Sequence, residues 1–453
     1  MSETELPVLI IGAGTGGLAL AHGLQRAGIP VRVFERDRHR TGGLQGYRVG
    51  ISPDGVRALR DLLPEELFDI FVATTARDYD YVTMCSEQLR PLMTMTASEI
   101  DFSHDDVVKG YSVSRMTLRQ VLLTGVEDLV EFDKVFTHYD DRGDCVTAHF
   151  EDGSSATGRL LIGADGANSR VRKQYLPHAT HTETGLIAIG GKTAVTDDNI
   201  DLLTGTCRHG MTEILDRRMT FGILHVMEFP WQGSGEIKHG IGTTDAEVIK
   251  QWPGLLFDNT TDYFSLAVSA SHRVLPADVL TMEGDQLKEV VLKTLIYDWH
   301  PHLQAIVRDS DPTANFVLSI RTSDPVTPWQ PSRITILGDA AHTMTPGRGA
   351  GANTALRDSQ LLCAKLVAVR DGNTELVEAI GEYEQTMRRY SAVAVRDSLQ
   401  GMNDYGLDHK PIRRAMVSAG MRAGMRTVDR VPALKRRMIR SLQRTLDSQA
   451  EKS

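Results

Sequence analysis

Short apolar runs that break on glycine or on an acid recur along this 453-residue chain. Val8 to Ile11 is the first, and it runs into Gly12-Ala13-Gly14-Thr15-Gly16-Gly17. Leu18, Ala19, Ala21, His22 and Leu24 continue as a helix, and Val31 to Phe34 predicts a second strand ending on Glu35. Gly46 to Ile51 predicts a further strand and Pro53 to Leu63 a helix. Asp78 to Val108 is irregular and partly alternating, which suggests a sheet excursion. Ser112 to Leu122 reads as a helix, with Leu118, Val121 and Leu122 on one face and Arg115 and Arg119 on another. Turns are predicted at Arg142-Gly143-Asp144 and Asp152-Gly153. Leu160 to Ile162 is a buried strand that meets Gly163-Ala164-Asp165-Gly166 and then a helix start. Thr184 to Phe229 alternates and is rich in β-branched residues, so it predicts an antiparallel sheet. Asp285 to Trp299 is helical in pattern. Arg333 to Leu337 predicts another strand, ending on Gly338-Asp339, before helices over Thr354 to Val369 and Glu375 to Leu399. The tail from Lys410 to Arg444 is basic, with little apolar face, and reads as a solvated helix or a subunit contact.

The first glycine cluster has the G-x-G-x-x-G spacing at a strand-to-helix turn, and each glycine has a physical task. Gly12 permits the tight turn, Gly14 lets the backbone approach a pyrophosphate, and Gly17 lets helix and strand pack closely. The helix N-terminus then offers free N–H groups and the positive end of its dipole to that anion. Glu35 stands where a carboxylate would bind ribose hydroxyls. Strand, glycines, helix, strand and acid together predict a dinucleotide site.

Composition narrows the classes. The length suits two intimately packed domains. A net charge of −9 argues against nucleic acid as the main partner. Cys85, Cys145, Cys207 and Cys363 are far apart in sequence and form no zinc spacing, so a reduced, cytoplasmic setting is expected. No signal peptide is expected, because the first strand begins by residue 7. Leu6 to Gln25 carries no Asp, Glu, Lys or Arg, but its glycine turn and His22 favour strand–turn–helix over a membrane span. Gly190-Gly191-Lys192-Thr193 is not read as a phosphate loop, since Gly185 sits one residue too early and no helix pattern follows.

Three segments far apart end strands on glycine or acid: residues 12–17, 163–172 and 338–353. Together they resemble the single-component flavoprotein aromatic hydroxylases, the class of para-hydroxybenzoate hydroxylase, over roughly residues 7 to 370. The resemblance implies an α/β fold: a Rossmann-like FAD-binding domain of the glutathione-reductase type, an inserted and mainly antiparallel substrate sheet, and C-terminal helices. The expected division is 1–75, 109–175 and 301–370 for FAD, 76–108 and 176–300 for substrate, and 371–453 as a helical segment. Gly12, Gly14, Gly17, Glu35 and Arg36 would meet the ADP part of FAD. Asp165, in the DG motif, would support FAD and NAD(P)H, and Asp339, in the GD motif, the ribityl chain. Pro346 to Asn353, with Gly349, Gly351 and Ala352, would wrap the isoalloxazine edge, aided by the helix starting near Asn353. Arg48 matches a family arginine on the FAD phosphates, with Gly50 beside the ring, and Arg115 matches an arginine that touches FAD.

The implied activity is hydroxylation of an aromatic or polycyclic small molecule by NADPH or NADH and O2, through a flavin C4a-hydroperoxide. No side chain stands out as a catalyst, because the cofactor carries the chemistry. A flavin-dependent epoxidase of an alkene or terpenoid shares the pattern, and a non-catalytic flavin- or NAD-binding sensor is the reading from another class. A flavin halogenase is disfavoured, since Trp231, Trp252, Trp299 and Trp329 are isolated and no W-x-W-x-I-P occurs. Ordinary structural roles compete throughout: Arg48 and Arg115 as ion-pair residues, Asp165 as a helix cap, and His342 as a hydrogen-bonding residue rather than a base. Lys192, His209 and His225 fall in the expected substrate sheet and could contact ligand.

Overall fold

The computed structural model describes residues 6–40, 48–96, 99, 110–218, 220–230, 261–346, 349–403 and 411–450. Gly46, Tyr47, Asp101 to Val108, Trp231, Trp252, Gly347, Arg348 and Lys410, all named above, lie outside the described residues. The first third contains β1 (Val8–Ile11), α1 (Thr15–Arg26), β2 (Val31–Phe34), β3 (Arg48–Ile51), α2 (Pro53–Leu62) and α3 (Glu65–Ala73). Then come β4 (Tyr81–Ser86), β5 (Pro91–Thr96), β6 (Tyr111–Ser114), α4 (Arg115–Leu123), β7 (Val130–Glu131), β8 (Phe136–Asp141) and β9 (Val146–Phe150). They lead to β10 (Ser155–Gly158), β11 (Leu160–Gly163) and α5 (Arg170–Tyr175). The middle holds β12 (His181–Ala194), β13 (Gly210–Leu215), β14 (Phe221–Met227), β15 (Tyr263–Ser271), α6 (Gly284–Val290) and α7 (Pro301–Arg308). β16 (Phe316–Ser323), β17 (Ile334–Ile336), α8 (Asp339–His342), α9 (Ala350–Arg370), α10 (Leu376–Asn403), α11 (Pro411–Arg430) and α12 (Pro432–Ala450) complete the order.

Four apolar runs build one parallel layer. A five-stranded sheet has the order β17-β11-β1-β2-β7, and all its pairings are parallel. Parallel strands are buried on both faces, which is why β1 and β11 are apolar without alternation and wholly buried. One face packs on α1, α2, α4, α9 and α10, where Leu18, Leu24, Leu59, Val121, Leu356, Leu366 and Tyr383 share a core. The other face is covered by the three-stranded sheet β10-β9-β8, through Phe136, Val146, Ala148 and Phe150. Each fully buried aliphatic side chain contributes about 1.5–3 kcal/mol to folding, so this layer anchors everything its strand ends carry.

The second body is a seven-stranded sheet, order β16-β12-β15-β14-β13-β4-β5. Its pairs are antiparallel except β13 with β4, so the expected sheet is mainly antiparallel with one parallel exception. One face carries Ile187, Ile189, Leu224, Val226, Phe264 and Leu266 against Leu287, Val291, Trp299, Leu303 and Ile306. The expected helix over Asp285 to Trp299 is α6 followed by one π-helical turn, Val291–Leu295.

Two expectations need correction. Ser112 to Ser114 is strand rather than helix: it pairs antiparallel with Arg48 to Gly50, and the helix starts only at Arg115. The basic tail also has an apolar side. Met421 and Met425 pack near Leu92, Leu215 and Phe221, and Val428, Met438 and buried Ile439 pack near Val82, Met93 and Met95. Arg422 reaches the buried Glu87 carboxylate at 2.5 Å. Thus α11 and α12 cover the outer end of the seven-stranded sheet.

Candidate functional site

The parallel register sets the site. Phe34 pairs with Ile11, Ile11 with Gly163, and Gly163 with Ile336, so four strands finish in one row. Neighbouring strands lie about 4.8 Å apart, so the row spans about 14 Å. Glu35, the Gly12 turn, the Asp165 turn and the Gly338-Asp339 turn each leave the sheet from that row. The crevice beyond the carboxyl ends of parallel strands is where open α/β sheets take ligands.

Close contacts hold the bends together. Gly12 has φ 109°, and a Cβ there would stand 2.4 Å from the Ala164 carbonyl oxygen. A Cβ on Gly17 would meet the Gly12 oxygen at 2.2 Å, whereas a Cβ on Gly14 would meet nothing within 4 Å. Gly12 and Gly17 therefore serve packing, and Gly14 borders open space in front of α1. The sequence pattern passed over Gly16: a Cβ there would press Leu337 at 2.7 Å, and its carbonyl accepts the Ser359 hydroxyl at 2.8 Å.

Glu35 is buried and braces the turn, its Oε2 accepting the Ala13 N–H at 2.7 Å and its Oε1 the Asp37 N–H at 3.0 Å. Arg119 approaches both Glu35 and Asp37, at 3.8 and 2.9 Å. Arg36 is exposed. Asp165 caps α5, its Oδ2 accepting the Arg170 N–H at 2.7 Å, while its buried Oδ1 has no partner. Burial raises the Asp165 pKa against the hydrogen bonds of Ser169, Val171 and Arg170. An orphaned, buried carboxylate oxygen just beyond the end of β11 is the feature a hydroxyl-bearing cofactor would satisfy.

Asp339 is open to solvent, yet its pKa is raised because protein surrounds it, with the charges of His342 and Arg115 opposing. Arg115 lies close enough to the GD bend for its charge to act on that carboxyl. A Cβ on Gly351 would stand 3.7 Å from Asp339 Oδ1, so α9 begins beside that carboxylate. Gly349 precedes α9 in left-handed conformation, φ 62°, and accepts the Asn353 amide at 3.0 Å. Asn353 also receives the Ser52 N–H at 2.8 Å and donates to the Gly50 carbonyl at 2.9 Å, so its carboxamide ties β3 to α9. Pro346 is exposed and Ala352 half-buried next to it in this loop. Arg48 leans along β3 and donates to Ser112 Oγ at 3.0 and 2.9 Å.

Below the GD bend lies a network the sequence pattern did not reveal. Asp358 accepts the Gly338 N–H at 2.7 Å, His342 Nε2 at 2.6 Å and the Tyr390 hydroxyl at 2.5 Å. His342 is thus a bracing residue. The signal was present as an acid on the apolar side of a helix, between Leu356 and Leu361.

The seven-stranded sheet supplies a facing wall. On β14, Leu224 and Val226 belong to the helix-covered core, which turns His225 to the opposite face. There its ring meets Tyr79 edge-on at 6.1 Å, and burial followed by the Arg48 charge pushes its pKa well below 6.5. His225 is therefore held in its neutral form. Lys192 lies 5.4 Å over the Tyr263 ring and shares its register partner, Ser265, with His225, while His209 contacts Arg77 at 3.2 Å.

Comparisons with known proteins agree with this geometry. The family described as "FAD binding domain" matches residues 5–261 and 288–398. A dual O-methyltransferase/FAD-dependent monooxygenase, elcB, of Phaeosphaeria nodorum is 31% identical over 395 residues, 83% of this chain but 42% of that protein. The chain therefore spans less than half of that relative's length. An FAD-dependent urate hydroxylase of Klebsiella pneumoniae is 27% identical, with 84% of this chain and 85% of that protein aligned. A crystal structure of a protein assigned as an FAD-containing monooxygenase from Photorhabdus luminescens superposes with TM-score 0.73 at 31% identity, covering 88% of this chain and 98% of that one. Among the described residues no helix is long and apolar enough to cross a membrane. With a family match across most of its length and the strand-end crevice that such a cofactor needs, the chain belongs to the FAD-binding-domain family, alongside relatives named FAD-dependent monooxygenases.

Proposed function

We propose that this chain uses NADPH or NADH and O2 to hydroxylate an aromatic or polycyclic small molecule, with FAD as its cofactor. The observation that carries the reading is the row of four strand ends from which Glu35, the Gly12 turn, Asp165 and Asp339 emerge together. When bound, FAD supplies hydride acceptance from the nicotinamide and activation of O2 for oxygen insertion.

The protein's share is to hold, orient and keep dry. Gly12, Gly14 and Gly17 shape the turn on which a pyrophosphate rests at the α1 N-terminus. Glu35 and Arg36 serve the adenosine side, Asp165 and Asp339 accept from hydroxyls, and Arg48 and Arg115 supply positive charge. Pro346, Gly349, Gly351 and Ala352 present backbone to the ring edge, and Asn353 holds β3 against that loop. The α9 N-terminus favours negative charge on the ring by about 0.3–1 kcal/mol, about 2 when partly buried. Residues 76–108 and 176–300, joined by α7 and β16, make the substrate body; 1–75, 109–175 and the rest of 301–370, joined by α10, make the cofactor body; and α11 and α12 are the cover. His225, kept uncharged by burial and the Arg48 charge, offers a neutral ring nitrogen to hydrogen-bond a substrate hydroxyl.

A relative named zeaxanthin epoxidase, of Nicotiana plumbaginifolia, is 25% identical over 403 residues and supports a second reading, epoxidation of an alkene or terpenoid. One experiment separates the cases. The purified protein is loaded with FAD, and NAD(P)H consumption, peroxide release and product mass are followed across aromatic and alkene ligands. Ligand-stimulated oxidation with one oxygen added to an aromatic ring is the expected result. A protein that cannot retain FAD ends the proposal, and so does one whose NAD(P)H oxidation no ligand stimulates.

A further inference from the structure

Cys85 and Cys207, 122 residues apart in sequence, meet in the fold with their sulfurs 3.6 Å apart. Cys85 lies near the end of β4, opposite Ile214 of β13, and Cys207 ends the short turn Gly205–Cys207 just before β13. Both are free thiols; Cys85 is fully buried, whereas Cys207 keeps 7% of its surface. We propose that Cys85 and Cys207 are an oxidisable dithiol, a modification site that consumes a small hydroperoxide and closes to a disulfide joining β4 to the turn before β13.

The chemistry assigns each sulfur a part. The hydrogen bond from Cys85 favours the thiolate on Cys207, while the same bond and burial keep Cys85 protonated. The thiolate is the nucleophile, and Cys207 is the member of the pair that keeps some exposed surface. Its attack on one peroxide oxygen forms an S–O bond and breaks the O–O bond. The departing oxygen takes up a proton as water and leaves a sulfenic acid on Cys207. Cys85 then attacks that sulfur as its own proton leaves; the S–S bond forms, the S–O bond breaks, and hydroxide departs with the proton as a second water. Two thiols give up two electrons and two protons, and one hydrogen peroxide becomes two waters. The sulfurs must close from 3.6 Å to about 2.05 Å, a shift shared between two side chains and a short turn.

The other two cysteines set the contrast. Cys363 is buried, with its thiol pushed up to about 11 by burial. Cys145 is half-exposed, and its pKa is also raised. Peroxide is what oxygen activation releases when no substrate takes the oxygen, so the proposed function would generate the oxidant locally. The dithiol itself stands on its own geometry, and added hydrogen peroxide tests it whether or not that function holds.

The fully reduced chain is treated with equimolar hydrogen peroxide, unfolded, alkylated and digested without reductant. The expected result is a linked peptide holding Cys85 and Cys207, lighter by two hydrogens than its reduced parts. Titratable thiols should fall from four to two, and dithiothreitol should restore them. Cys85→Ser should stop at a sulfenic acid on Cys207 that dimedone traps, and Cys207→Ser should leave Cys85 unreacted. The proposal is overturned if both thiols stay alkylatable under peroxide that oxidises Cys145, or if either is over-oxidised without the cross-link forming.

Discussion

Asp358 holds three donors from distant parts of the chain, and hydrogen bonds to a charged group are worth about 1.5–3 kcal/mol each. Burial alone would lower the His342 pKa, but the charge and hydrogen bond of Asp358, with the Asp339 charge, lift it above 6.5. A raised folded pKa means that the charged His342 stabilises fully below pH 6.5 and that this contribution is lost as pH rises through the folded value. The stability gap between wild type and Asp358→Asn, from denaturant unfolding at a series of pH values, should be widest below pH 6.5 and narrow above it; a gap constant in pH rejects the pairing. Asp339→Ala should weaken FAD retention by about 10–100-fold, the worth of one charge-assisted bond, read by flavin release on dilution. Gly12→Ala should cost at least about 2 kcal/mol from the left-handed backbone and the Ala164 carbonyl, seen as a lower Tm. The Gly12 turn was legible because a strand-to-helix turn has a fixed spacing. Asp358 was not, since its partners stand 16 to 32 positions away and nothing near it predicts them.

At the scale of elements, strands ending on glycine or acid were the readable feature, and each of them belongs to the parallel layer. The β6 strand was misread because Ser112-Val113-Ser114 is too short for its alternation to outweigh the helical spacing that follows. The tail was misread for a different reason. Its basic residues dominate the composition, while the half-buried stripe of Met421, Met425 and Val428 is narrow and repeats at three to four residues. Placing an aspartate at Ile439, which is 7% exposed, should lift α12 from β4 and β5. An uncompensated buried charge costs several kcal/mol, so limited proteolysis should then cut within α11 and α12 while the rest resists. Equal protection of that segment in both proteins would show that the apolar stripe does not hold it.

For the molecule as a whole, the class of fold was legible and the mutual arrangement of its sheets was not, because pairing between distant strands leaves no mark in local pattern. That pairing has a temporal meaning. β11 waits for β17, and β4, made early, waits for β13. On a ribosome, the nascent chain emerges with open strand edges until residue 336 of 453 has been synthesised. A stalled translation product ending before Phe316 should show no cooperative unfolding, and refolding of the entire protein from urea should take seconds or longer and lose yield at high concentration. The edge of β11 therefore stays unpaired until β17 has emerged, so the growing chain passes through a long adhesive stage in which shelter by chaperones bears on its yield.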